Sequence, residues 1–315
     1  MLSLRGYELS AQSARKLEGN LKANPSDMAA RIQLRAYYIR RSYRSAAAAK
    51  SHLAHVIWMI ENAPEHPILN DPSASVDPRL NSSGYERCKQ LWLKRIRRKN
   101  CNLEIIKNAA SFMRHNLRLS ERLYRQAIQL DPSDPSLYRD LAFLLQLGAR
   151  KHSDRMKRAL RAQQQALAKE PKAQSKRYLL DDLAEMAFDC GEPNLARRAA
   201  LKSVHQARKY RDWYTGNAIH DGNAILGRIA LAEGDVKKAL IHLKEASRTP
   251  GSPQLNSFGP NMTLAQELLK LGERKAVLSY LAACKKFWKS TSRRIDACIK
   301  RIEQGENPDL RSIDI

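Results

Sequence analysis

The stretch Gly222–Thr249, GNAILGRIALAEGDVKKALIHLKEASRT, constrains the fold of this chain more than any other. Its small and apolar residues fall at helical offsets: Leu226, Gly227 and Ala230 before Gly234-Asp235, then Ala239, Leu243 and Ala246. That pattern describes two amphipathic helices folded back on each other around a Gly-Asp turn. Gly227 and Ala239 are small because packed helix axes approach to about 8–10 Å. The arrangement recurs along the chain. Similar pairs turn at Gly191-Glu192-Pro193 and at Gly272-Glu273, and Asn102–Pro132 pairs two helices around a break at His115-Asn116. Between them, DPSLYRDLAFLLQLG opens another pair, with Asp134 placed to cap and Pro135 at a first helical position.

A tandem of such pairs buries its core between neighbours, so chain length alone does not divide it into domains. Of the 315 residues 43% are hydrophobic and only 6% aromatic, and no stretch alternates with period two, so the chain is expected to be all-α. In the N-terminal part, residues 8–24, 27–44 and 45–62 read as helices stopped by Pro25, Pro64 and Pro67. Residues 68–84 are rich in Pro, Ser and Asn and read as a linker or loop, followed by a basic helix over 85–99. This gives N-terminal helices over 1–67, the linker over 68–84, a repeat array over 85–289, and a capping helix with tail over 290–315. The cap covers the apolar face that a last repeat would otherwise expose.

The spacing resembles that of the tetratricopeptide repeat (TPR), a helix-turn-helix unit of roughly 34 residues, most legibly from Asn102 to Lys289. The segments NAIHDGNAILGRIAL and SPQLNSFGPNM also resemble stretches of bacterial TPR proteins. The resemblance implies a right-handed superhelical solenoid that holds a peptide or protein segment in a concave groove lined by first helices. Carrying repeat positions across places Arg139 and Phe143, then Asp181, Glu185 and Asp189, then Asp221 and Arg228, in that groove. Asp181, Glu185 and Asp189 are spaced by four and share one helix face, where they suit a lysine or arginine of a partner. The competing reading is a solvated face that balances Arg177, Arg197 and Arg198.

Net charge is +24, which favours an anionic partner without identifying one. The basic clusters of residues 35–44 and 94–99 put Arg40, Arg41, Arg97 and Arg98 beside Tyr37, Tyr38, Tyr43 and Trp92. Cations for phosphates and rings for bases make these a candidate nucleic-acid patch, and nucleic-acid adaptor the alternative function. Arginine beside tyrosine on a helix equally describes a buried ring with a solvated cation.

Nothing in the residue pattern argues for an enzyme, a cofactor or a metal. His52 and His55 lie on one helix side without a matching carboxylate or cysteine. His220-Asp221 lacks a nucleophile at a recognisable spacing, and no GxSxG or phosphate-binding glycine loop occurs. The five cysteines form no CxxC pair, and no apolar run reaches signal-peptide or membrane-spanning length. Free thiols, a cytoplasmic location and no membrane insertion are the expectations.

Overall fold

The computed structural model describes residues 2–313, and no strand occurs among them. Two compact units, Met1–Leu144 and Leu145–Ile315, divide the chain. In the first unit the helices are α1 (Leu2–Tyr7), α2 (Ala11–Ala23), α3 (Met28–Ser42), α4 (Ala46–Asn62), α5 (Ser82–Ile96), α6 (Leu103–Phe112) and α7 (Leu117–Leu130), with most of α8 (Pro135–Gln146). The second unit continues with α9 (Asp154–Lys169), α10 (Ala173–Arg177), α11 (Leu180–Asp189), α12 (Pro193–Lys209), α13 (Thr215–Ala232) and α14 (Val236–Ser247). It ends with α15 (Pro253–Phe258), α16 (Thr263–Lys270), α17 (Arg274–Cys284) and α18 (Ser292–Glu303). Among the described residues no helix is long and apolar enough to cross a membrane.

Local chemistry sets the helix ends. Asp27, Asn102 and Asp235 each accept the backbone N–H three residues on, at 2.9–3.0 Å, and start α3, α6 and α14. Asp134 accepts the N–H of Ser136 at 2.8 Å ahead of α8. Gly191, Gly234 and Gly272 have φ of 79°, 81° and 88°, the left-handed conformation that lets one helix of a pair end and the next begin.

In the first unit α3 packs on α1, α2 and α4. One difference from expectation lies here. A helix precedes residue 8, because Gly6 lets α1 lie against the backbone of α3: a Cβ there would sit 2.4 Å from the Gln33 carbonyl oxygen. Arg35 is 0% exposed. Its guanidinium donates to the Ile68 carbonyl at 3.1 Å and to Ser3 Oγ at 3.4 Å, and lies 4.0 Å from Asp71. Burial lowers its pKa to about 10, against the pull of Asp71, so it stays charged at neutral pH. One buried cation thereby ties residues 68–71 and α1 to α3. Leu69, Ala74 and Val76 are buried as well; the segment read as a linker or loop lies inside the first unit and contains two short 3-10 turns.

In the second unit α13 is the central element, packed against α11, α12, α14, α15 and α16. Gly227 is required there for close approach: a Cβ would meet Leu264 Cδ2 of α16 at 2.4 Å and His242 Cβ of α14 at 3.3 Å. The terminal helix α18 buries Ile295 and Ile302 against the last pair, and Leu310 then donates its N–H to Gln266 at 2.6 Å. Residues 314 and 315 of the expected tail lie outside the described residues.

Candidate partner-binding pocket

Within the second unit, α11, α13, α15 and the loop before α13 enclose a hollow of about 500 Å³. One turn of α11 supplies Asp181, Asp182 and Glu185, because Glu185 lies three and four positions on from the two aspartates and such positions fall on one side of a helix. Facing them, α13 supplies Asn217, Asp221 and Arg228. Tyr178, Trp213, Tyr214 and Phe258 form aromatic walls.

The aromatic wall is anchored from behind. Arg177, 5% exposed, donates to the Tyr210 carbonyl at 3.0 Å and pairs with the Asp212 carboxylate. Asp212 also accepts the Tyr178 hydroxyl at 2.9 Å and the Tyr214 N–H at 3.0 Å. This knot fixes the loop, so Trp213 stays 54% exposed while its ring lies 5.5 Å from Tyr178 and 5.4 Å from Tyr214. Gly259, at φ 78°, leaves room for the Trp288 ring, where a Cβ would stand 2.4 Å away; the exposed Phe258 precedes it at the pocket mouth.

The carboxylates are held under electrostatic stress. Burial, and next the charge of Asp221, raises Asp181 to about 7, although its Oδ2 accepts the Tyr214 hydroxyl at 2.9 Å. Burial, then the charges of Asp189 and Asp221, raises Glu185 to about 7 against the pull of Arg228. Asp221 is oriented by His220, whose Nδ1 lies 2.7 Å from its Oδ1, while His220 Nε2 lies 2.8 Å from the Tyr280 hydroxyl. The carboxylate, imidazole and phenol together look like a catalytic relay. Tyr280, however, is 2% exposed in the hydrophobic core, with its pKa driven well up by burial, and cannot meet a substrate. The chain of hydrogen bonds is a brace for Asp221.

Of the expected groove residues, Asp181, Glu185, Asp221 and Arg228 meet at this pocket. Asp189 turns elsewhere, 3.3 Å from Lys151 and 3.8 Å from Arg228. Arg228 is 4% exposed and bridges Asp189 and Glu267, the latter at 3.5 Å, with its guanidinium 4.5 Å over the Phe188 ring. Arg139 and Phe143 belong to the first unit, where both are exposed and Arg139 pairs with Asp140 at 3.0 Å. In the candidate nucleic-acid patch Arg40, Arg97 and Arg98 are exposed, but Arg41 folds back over Tyr37 at 3.6 Å. Tyr37 is buried, Trp92 is fully buried and Tyr38 stacks on His55, so of those rings only Tyr43 presents itself to solvent. His52 and His55 are likewise engaged, with the Ser73 carbonyl at 2.8 Å and with Glu18 at 3.1 Å.

Sequence reasoning misses Tyr178, Trp213, Tyr214, Asn217 and Phe258. The aromatic pair in RDWYTGN and the segment SPQLNSFGPNM stand out as unusual stretches. Nothing in their spacing says that they face the acidic turn of α11.

No family model and no curated protein sequence matches this chain. Solved structures do resemble it. The human IFIT1 dimer with m7Gppp-AAAA aligns with a TM-score of 0.50 and 15% identity, over 93% of this chain and 67% of that one. Pseudomonas aeruginosa pilF aligns at 0.43 and 12% identity, over 88% and 99%. A tetratricopeptide repeat protein from Parabacteroides merdae aligns at 0.44 and 14% identity, over 85% and 98%. Helix pairs closed by left-handed glycines and stacked in tandem complete the picture. The chain has a TPR-like fold. Identities this low speak to fold alone.

Proposed function

We propose that this chain is a non-enzymatic scaffold that holds a segment of another protein across the second unit, with a basic residue of that segment in the acidic pocket. One observation carries the reading. In a chain of net charge +24, four carboxylates and four aromatic residues converge on one hollow. Long-range attraction for a cation is absent in such a chain, but charges are screened beyond about 8 Å at physiological salt, so the pocket acts at contact. Trp213 is the residue expected to dominate, since a rigid exposed tryptophan beside polar partners is a common hot spot.

Binding to an array of random twelve-residue peptides tests this. The parent chain is expected to select peptides carrying basic residues. Trp213→Ala, at an exposed position, should weaken the selected peptides about 30-fold, as a hot-spot loss of about 2 kcal/mol implies. Identical binding patterns for the two proteins would remove the pocket from the interaction.

A second reading is favoured by a separate hollow of about 550 Å³ that shares Trp213 and is lined by Arg208, Arg211 and Arg248. Arg208 and Arg248 share one carboxylate, Glu245, at 3.7 and 2.5 Å. Cations beside a ring suit single-stranded nucleic acid. Anisotropy titration with a short single-stranded RNA at about 0.05 and 0.15 M salt decides it. This reading expects binding that survives the higher salt and falls at least tenfold in Arg211→Ala. Binding that vanishes with salt, or drops only when Arg40, Arg41, Arg97 and Arg98 are replaced together, counts against this hollow.

A further inference from the structure

We infer that the group seated in the acidic pocket is the guanidinium of an arginine side chain. The inference rests on the segment-binding reading above and names what the pocket selects. Three features of the site argue for it independently.

The first is an unanswered acceptor. Asn217 is 9% exposed and lines the pocket, and its Oδ1 has no hydrogen-bond partner among the described residues. A donor on a ligand that reaches this acceptor relieves its unmet hydrogen bond. The second is charge. Asp181, Asp182, Glu185 and Asp221 line the same hollow, and the one cation there, Arg228, is already engaged by Asp189 and Glu267. The occupant must therefore bring both positive charge and N–H donors. The third is shape. Trp213 and Phe258, 54% and 76% exposed, offer flat faces beside the carboxylates.

A guanidinium meets all three requirements. It is planar, carries five donors, and is weakly enough hydrated to lie on an aromatic face while its edge bonds to carboxylates on two helices. An ammonium is a compact point charge that holds its water more strongly and has no face to stack. Arg228 in the pocket wall disfavours a second positive centre, which argues for one side chain over a linear polyamine.

The test titrates the full chain with N-acetyl-arginine methylamide, its lysine and citrulline counterparts, and spermidine. The readout is the indole N–H resonance of Trp213; the core residues Trp92 and Trp288, 0% and 1% exposed, are internal controls. The arginine compound is expected to shift the Trp213 signal saturably, while citrulline, isosteric but neutral, binds at least tenfold more weakly and lysine several-fold more weakly. Asn217→Ala and the exposed-site variant Asp182→Asn should each lower arginine affinity several-fold, the second without disturbing a buried group. Equal binding of citrulline overturns the role of charge, and equal or tighter binding of lysine or spermidine overturns the choice of guanidinium. Silence of Trp213 towards the arginine compound, while array peptides still bind through Trp213, overturns this inference and leaves the scaffold reading standing. Silence in both experiments overturns both.

Discussion

Replacing Arg228 with alanine is expected to destabilise the second unit by about 3–5 kcal/mol at pH 7.5, the cost of breaking a buried ion pair from one side. The guanidinium is 4% exposed and lies between Asp189, Glu267 and the Phe188 ring. It also opposes the repulsion that burial, Asp189 and Asp221 impose on Glu185. Without it Glu185 loses the cation that opposes its raised pKa in a poorly solvated site, and the cavity adds its own penalty. Arg228→Met separates the two contributions by keeping most of the volume and losing the charge. Urea unfolding followed by tryptophan fluorescence is the measurement. A methionine variant nearly as damaged as the alanine variant places the effect in charge. A loss below about 1 kcal/mol in both would mean that Arg228 is not the organising cation described here.

The second large effect is a pH dependence of unusual sign. Asp181 and Glu185 are raised to about 7 in the folded chain, from ordinary values of 3.8 and 4.5. Between about pH 4.5 and 7 the folded state therefore keeps protons that the unfolded state has released. Stability falls as pH rises through that window, and the loss is complete above pH 7. A salt-bridged carboxylate with a lowered pKa behaves in the opposite way. The decline is expected to amount to about 5 kcal/mol between pH 5 and pH 8, two groups each losing about two tenfold steps of proton affinity at about 1.4 kcal/mol per step. Glu185→Gln removes one of the two groups and should flatten the profile. Urea midpoints of parent and variant at pH 5, 6, 7 and 8 give the answer; parallel profiles would refute the assignment to Glu185. The same protons compete with a cation, so arginine binding is expected to strengthen from pH 6 to pH 8.

The two expectations concern residues that the sequence did point to, and the reason is local. Asp181 and Glu185 share a face because an α-helix repeats every 3.6 residues, and that is decided within one turn of chain. Helix pairs, their caps and the glycine turns at Gly191, Gly234 and Gly272 are local in the same sense. Asp189 shows where such reasoning stops. It continues the spacing of four, yet it is spent on Lys151 and Arg228, because a helix face wide enough for three positions meets more than one neighbour.

What the sequence by itself determined is the repeating unit: an all-α chain in which small residues at fixed offsets, polar caps and left-handed glycines close each helix pair, as short-range sterics and hydrogen bonding require. What only the tertiary structure decided is which side chains share a space. Arg35 tolerates full burial because Ile68, Ser3 and Asp71 come to it from segments about thirty residues away. Tyr178, Trp213 and Phe258 line one hollow with the acidic turn of α11 because α11 and α15 both pack against α13. That juxtaposition depends on how successive pairs stack, a non-local outcome of packing that the spacing within any one pair does not encode.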